Sequence, residues 1–148
     1  MNAVQIVRIK EALPEAFEAL QAEARAETFQ HVDRLTADWA SGGMRFDREG
    51  EALFAAFVEG ELAAIGGVTQ DEMDPDLGAL RMRRVYVRPA FRRRGVGRAL
   101  AGAMIQQGMA GAIVLTVNAG TPDAPAFWEA MGFVPDPRNG RTHVFRQA

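Results

Sequence analysis

Apolar and polar positions alternate at the start of the chain, where Val4, Ile6 and Arg8 interleave with Gln5, Val7 and Ile9. This period of two predicts a short first strand. Behind Leu13-Pro14-Glu15 the period lengthens: Phe17, Leu20 and Ala24 form a helical stripe, and the proline suits a first turn. A second helix is predicted from about His31 to Ala40, with Val32, Leu35 and Trp39 on one face and a stop at Gly42-Gly43. Ala52–Val58 is an apolar run, Glu59-Gly60 a turn, and Leu62–Val68 the partner strand. Gln70–Ala79, rich in Asp, Pro and Gly, reads as a loop, and Leu80–Val87 as a strand ended by Pro89. Gly97–Gln107 reads as a helix with Leu100, Ala103 and Met104 on one face. Ala112–Val117 is a β-branched run suited to a buried central strand. Pro125–Met131 predicts a helix closed by Gly132, and Thr142–Arg146 a last strand. The order β-α-α-β-β-β-α-β-α-β predicts an α/β fold with a mixed sheet.

Composition narrows the chemistry. A chain of 148 residues fits one domain, covering 1–148, and can bury a core without staples. With no cysteine there is no thiol nucleophile and no thiolate metal site, and a reducing compartment is favoured. Ser41, the only serine, lacks a nucleophile elbow, and Lys10, the only lysine, excludes a Walker-type phosphate loop. His31 and His143 are far apart in the chain, which argues against a catalytic zinc, so no metal is expected. The longest apolar run has seven residues, against the ~20 of a membrane-spanning helix. With no basic, apolar leader at the start, the expectation is a soluble cytoplasmic protein.

The net charge of −2 conceals an asymmetry. Residues 1–79 carry 16 acidic against 6 basic side chains, whereas residues 80–148 carry 3 acidic against 11 arginines. Such a split calls for an anionic partner of the second half. The arginines crowd into Val85-Tyr86-Val87-Arg88-Pro89-Ala90-Phe91-Arg92-Arg93-Arg94-Gly95-Val96-Gly97-Arg98, a strand followed by a basic, glycine-bearing turn and a helix start. Unpaired N–H groups at a helix N-terminus, glycines that admit close approach, and mobile guanidinium groups together suit a pyrophosphate. A dinucleotide-binding reading fails, because the third fingerprint glycine is Leu100 and the acidic ribose ligand is missing.

Arg92-x-x-Gly95-x-Gly97 matches the Arg/Gln-x-x-Gly-x-Gly/Ala signature of the GNAT superfamily of acyl-CoA-dependent N-acyltransferases. Val85–Pro89 resembles the family's fourth strand, Asn118 follows the fifth, and Ala126–Phe133 is similar to its closing helix motif. The resemblance implies a GNAT-like single domain, with a mixed, mostly antiparallel sheet splayed between the fourth and fifth strands and flanked by helices. It implies acetyl-CoA as acyl donor, its pantetheine arm bonded by the backbone of Val85 and Val87, with the Val87 N–H as oxyanion donor. Backbone N–H groups from Arg93 to Arg98, including Gly95, Val96 and Gly97, would hold the pyrophosphate, with the side chains of Arg92, Arg93, Arg94 and Arg98 around it. Asn118 would contact the arm or merely cap a strand, and Trp128 would border it.

The implied reaction is direct attack of a neutral amine on the thioester, driven by positioning and oxyanion stabilisation. Two family positions depart from pattern. The strand glutamate that often serves as base is Arg81 here, which leaves Glu72 or Asp74 as candidates, or as ordinary loop residues. The helix tyrosine that often protonates the thiolate is Trp128, a very poor proton donor. Tyr86, the only tyrosine, either assists or packs in the sheet. Substrate contacts fall to Phe29, Gln30 and His31 between the first helices, and to Arg138, Asn139 and Arg141 in the last turn. Strand alternation puts Arg83 with Val85 and Val87, and Arg84 with Tyr86. These arginines either pair with the acidic first half or bind an acid-bearing small amine such as an amino acid. Acetylation of a protein or peptide amine and a non-catalytic acyl-CoA-binding module are the competing readings. Nucleic-acid binding is disfavoured by the sparse aromatics, no membrane association is expected, and a homodimer is the default assembly.

Overall fold

The computed structural model describes residues 3–147; Met1, Asn2 and Ala148, part of the expected 1–148 domain, lie outside them. β1 (Val4–Ile9), β2 (Ala52–Val58), β3 (Glu61–Gln70) and β4 (Leu80–Val87) pair antiparallel in chain order. Glu59 (φ 51°) and Gly60 (φ 81°) both take left-handed backbone, the two-residue turn whose twist matches that of a hairpin. β5 (Val114–Val117) joins β4 in parallel, and β7 (Arg141–Arg146) and β6 (Val134–Arg138) complete a mixed sheet in the order β1-β2-β3-β4-β5-β7-β6.

Helices cover both faces. On one, α1 (Phe17–Ala26) and α2 (His31–Ser41) bury Phe17, Leu20, Val32, Leu35 and Trp39 against Leu53, Ile65 and Tyr86. On the other, α3 (Val96–Gly111) and α4 (Ala124–Ala130) bury Val96, Leu100, Met104 and Trp128 against Val68, Met82, Leu115 and Phe133. α3 lies so close to β5 that a Cβ on Gly108 would stand 2.5 Å from a Leu115 methyl. The order of strands and α-helices follows the expected one with a single addition.

That addition is β6. Its sequence, Val134-Pro135-Asp136-Pro137-Arg138, carries two prolines that cannot donate to a ladder, so it does not read as a strand. An edge position tolerates them, and the Asn139-Gly140 turn (φ 51° and 78°) folds the segment back onto β7. α1 begins at Phe17 rather than at Pro14, whose carbonyl accepts the Phe17 N–H at 3.0 Å. The buried stripe of α3 runs through Ala101 and Gly108, with Ala103 only half-buried on its flank.

A bulge in β4 corrects the face assignment. Ile65 pairs with Tyr86 but Gly67 pairs with Arg83, so Arg84 and Val85 together oppose Gly66, and Arg84 takes φ 59°. One extra residue reverses the alternation beyond it. Leu80 and Met82 before the bulge, and Val85 and Val87 after it, all face α3. Arg83 therefore does not share a face with the two valines. It turns to the α2 side, where its Nε donates to Thr69 Oγ1 at 3.1 Å, and Arg84 meets Asp38 of α2 at 3.4 Å.

β4 and β5 pair only at Leu80–Leu115, Arg81–Thr116 and Met82–Val117, then part. At this junction Arg81 and Asp71, both buried, form an ion pair at 3.4 Å, while Thr116 donates to Asp71 at 2.7 Å and Arg81 also reaches the Asn139 carbonyl. Removing one member of a buried pair strands the other charge. Arg81→Met is expected to lower unfolding free energy by about 3 kcal/mol in urea titrations, and the Arg81→Met, Asp71→Leu double variant by less.

Candidate active site

The parting strands leave β4 backbone without a neighbour. Arg88 N–H donates to Ala63 O of β3 at 2.9 Å, so by alternation Tyr86 also faces β3, while Val85 and Val87 face the gap. Their carbonyls are taken by side chains: Val85 O accepts from His31 Nε2 at 2.9 Å, and Val87 O from Arg92 Nε at 3.0 Å. Their N–H groups point into the gap.

A cleft of about 450 Å³ opens there. Val85, Arg83 and Arg84 form its β4 wall, with Arg81 and Met82 at the junction. Asn118, exposed just past β5, and the buried Trp128 of α4 form the opposite wall, together with Thr121 and Gly120. The α1–α2 connection supplies Thr28, Phe29, Gln30 and His31, and α2 supplies Arg34. Phe29, His31, Arg83 and Arg84, singled out from sequence as acceptor contacts, thus meet Val85, Asn118 and Trp128 in one place. Arg34 and Thr121 were missed, since neither belongs to a motif; only the helical spacing of Arg34 from His31 signals it.

The cleft is cationic and without carboxylates. Burial and the neighbouring guanidinium groups push the Arg83 pKa below the usual arginine value; burial lowers that of Arg84, which leaves its Nε buried and unpartnered. Glu72 lies outside it, ion-paired with Arg48, and Asp74 accepts from Asn139 and Arg141. Tyr86 is on the α1 face and donates to Glu27; burial and that carboxylate raise its pKa well above the usual phenol value. Tyr86 is also 5.5 Å beneath the Arg92 guanidinium.

At the mouth of the gap, past the end of β4, the turn climbs into α3. Arg93 (φ 63°) and Gly95 (φ 77°) take left-handed backbone, and the first-turn N–H groups of α3 begin at Val96 and Gly97. Arg93, Arg94 and Arg98 are exposed around them. Arg92 is not free: it grips Glu27 with two nitrogens at 2.6 and 2.8 Å. Anionic charge at this helix end is stabilised by the free N–H groups and the aligned peptide dipoles. Among the described residues no group of acidic or histidine side chains is placed to hold a metal ion, and no helix is long and apolar enough to cross a membrane.

A splayed parallel pair thus opens beside a basic helix N-terminus. Residues 9–133 match the acetyltransferase (GNAT) family, and the chain belongs to it. A structure from Exiguobacterium sp. 255-15 assigned as an acetyltransferase shares 26% identity at a TM-score of 0.86, over 97% of this chain and 93% of that one. One assigned as a phosphinothricin N-acetyltransferase shares 17% at 0.68, over 99% of each chain. PaiA N-acetyltransferase from Thermoplasma acidophilum, solved with coenzyme A, shares 13% at 0.66, over 98% of this chain and 99% of that one. No curated protein matches. The fold carries acyl-CoA-dependent acetyl transfer.

Two predictions follow from the geometry at the mouth. A side chain at Gly95 must adopt left-handed backbone, so Gly95→Ala is expected to cost roughly 1 kcal/mol of stability and weaken coenzyme A binding, measured by calorimetry. Arg88 holds the Glu23 carboxyl below its ordinary 4.5, and Arg92 does the same for Glu27. Folded-state pKa values that are depressed give stability that is full above pH 4.5 and lost as pH falls through them. Melting temperature should drop on acidification in that window, less steeply in Glu27→Gln.

Proposed function

We propose that this acetyltransferase moves the acetyl group of acetyl-CoA to the primary amine of a small molecule that also bears an acidic group. The observation that carries the reading is the cleft lining: four arginines and no carboxylate, beside the open N–H group of Val85. A cleft near 450 Å³ that must also admit the pantetheine arm leaves room for a small acceptor rather than a folded protein surface. An anionic group on the acceptor would be met by Arg83 and by Arg84, whose Nε is without a partner while its Nη2 reaches Asp38.

The amine nitrogen attacks the acetyl carbonyl, the oxygen gains charge, and the Val87 or Val85 N–H stabilises it without moving. The pyrophosphate would rest on the turn from Arg93 to Arg98, anchored away from the reacting atoms. Asn118 and Trp128 border the arm from the β5 side. Trp128 in place of a protonating tyrosine favours a second reading, a module that binds acyl-CoA without turnover.

Thiol release from acetyl-CoA across amino acids, polyamines, aminoglycosides and peptide N-termini separates the two. Turnover with acid-bearing amines is expected; tight coenzyme A binding with no turnover on any amine establishes the binding module. Arg83→Met and Arg84→Met should each raise KM for the acid-bearing acceptor about tenfold while leaving coenzyme A affinity unchanged. Unchanged KM in both variants removes the acidic group from the proposal.

A further inference from the structure

His31 is the first residue of α2, and its ring lines the cleft. Nε2 lies 2.9 Å from Val85 O. A carbonyl oxygen only accepts, so Nε2 must carry the ring proton and Nδ1 the lone pair. Among the described residues Nδ1 has no hydrogen-bond partner and is not a buried orphan, which leaves it accessible on a ring that lines the cleft. The tie to Val85 sets the ring against the stretch of β4 whose N–H groups face the gap. No carboxylate, tyrosine or lysine among the described residues shares the cleft.

We propose that His31 is the general base of the transfer, its Nδ1 taking the proton of the attacking amine. The inference rests on the acetyl-transfer reading above. As the nitrogen lone pair forms the C–N bond, the nitrogen becomes positive and its proton passes to Nδ1. The tetrahedral intermediate then collapses, the C–S bond breaks, and its electron pair leaves on sulfur. The imidazolium returns the proton to the thiolate, giving the amide, the free thiol and neutral His31. One residue thus covers both steps for which the closing-helix tyrosine and the strand glutamate are missing.

The surroundings keep the ring neutral between turnovers. Burial is the main cause that lowers its pKa below 6.5, with Arg84 of β4 and Arg34 of α2 adding to it against the Val85 carbonyl. The N-terminus of α2 acts in the same sense. Phe29 packs at 5.8 Å and Tyr86 at 6.2 Å; Glu27, beyond Tyr86, is bound by Arg92.

The test uses the full chain, acetyl-CoA and the fastest acceptor from the amine panel. Glutamine can reach as far as Nε2 and keep a donor to Val85, so His31→Gln preserves the structural tie and deletes the base. Its kcat is expected to fall about 10²–10³-fold with KM and coenzyme A affinity nearly unchanged. The wild-type kcat/KM profile should lose activity below pH 6.5, and the variant should lack that limb. Long-range ¹H–¹⁵N spectra of labelled wild type should show the Nε2–H tautomer. A variant that keeps its rate and acidic limb, or a ring in the Nδ1–H form, overturns the assignment. A wild type that binds coenzyme A yet acetylates nothing overturns instead the transfer reading on which it stands.

Discussion

The site exists because β4 and β5 pair for three residues and no more. Strand backbone that loses its neighbour must find other partners or remain open to a ligand. Here the two functions divide cleanly: the Val85 and Val87 carbonyls are satisfied by His31 and Arg92, while the N–H groups of the same residues stay available. The junction is held shut at its narrow end by Arg81, Asp71 and Thr116, so the gap opens in one direction only. The bulge at Arg84 adds the second constraint, turning Val85 and Val87 onto the α3 side and Arg83 and Arg84 onto the α2 side of the strand. The apolar and the cationic side chains are thereby separated along a single strand.

The charge asymmetry of the chain resolves into paired and unpaired arginines. Arg81 meets Asp71, Arg84 meets Asp38, Arg88 meets Glu23 and Arg92 meets Glu27, so acids of the first half hold basic residues of β4 and the turn beyond it. Glu23 of α1 and Glu27, the residue that caps its C-terminal end, match Arg88 and Arg92 just past the end of β4. These pairs are partly solvated, and each adds little stability alone; their role is to fix α1 against the turn that leads into α3. Arg93, Arg94 and Arg98 remain exposed at the mouth and Arg83 remains in the cleft, and these are the positions where an anion gains most.

Most of the fold was legible because its signals are local. Among the described residues periodicity located every strand and α-helix except β6, and the Arg92–Gly97 turn marked the basic start of α3. β6 escaped because proline is a valid signal against a ladder, and only its edge position cancels that signal. Arg83 was assigned to the wrong face because a bulge changes parity without any mark in the sequence; Arg84 adopts a left-handed backbone that nothing in its residue type requires. Glu72 and Asp74 are near the strand in sequence, yet their carboxylates are held by Arg48 and by Asn139 with Arg141, away from the cleft.

By itself the sequence determined which segments form strands and helices and which side-chain nucleophiles the chain lacks, and it marked the basic turn that leads into α3. Those follow from hydrophobic period, missing residue types and turn chemistry, all of which act over a few neighbouring positions. Tertiary structure alone decided which arginines are spent on internal acids, which face each β4 residue takes, and that His31 reaches Val85 across 54 positions of chain. Such pairings depend on where the sheet parts, and that is set by long-range packing of α2, α3 and β5 rather than by any residue's own preference.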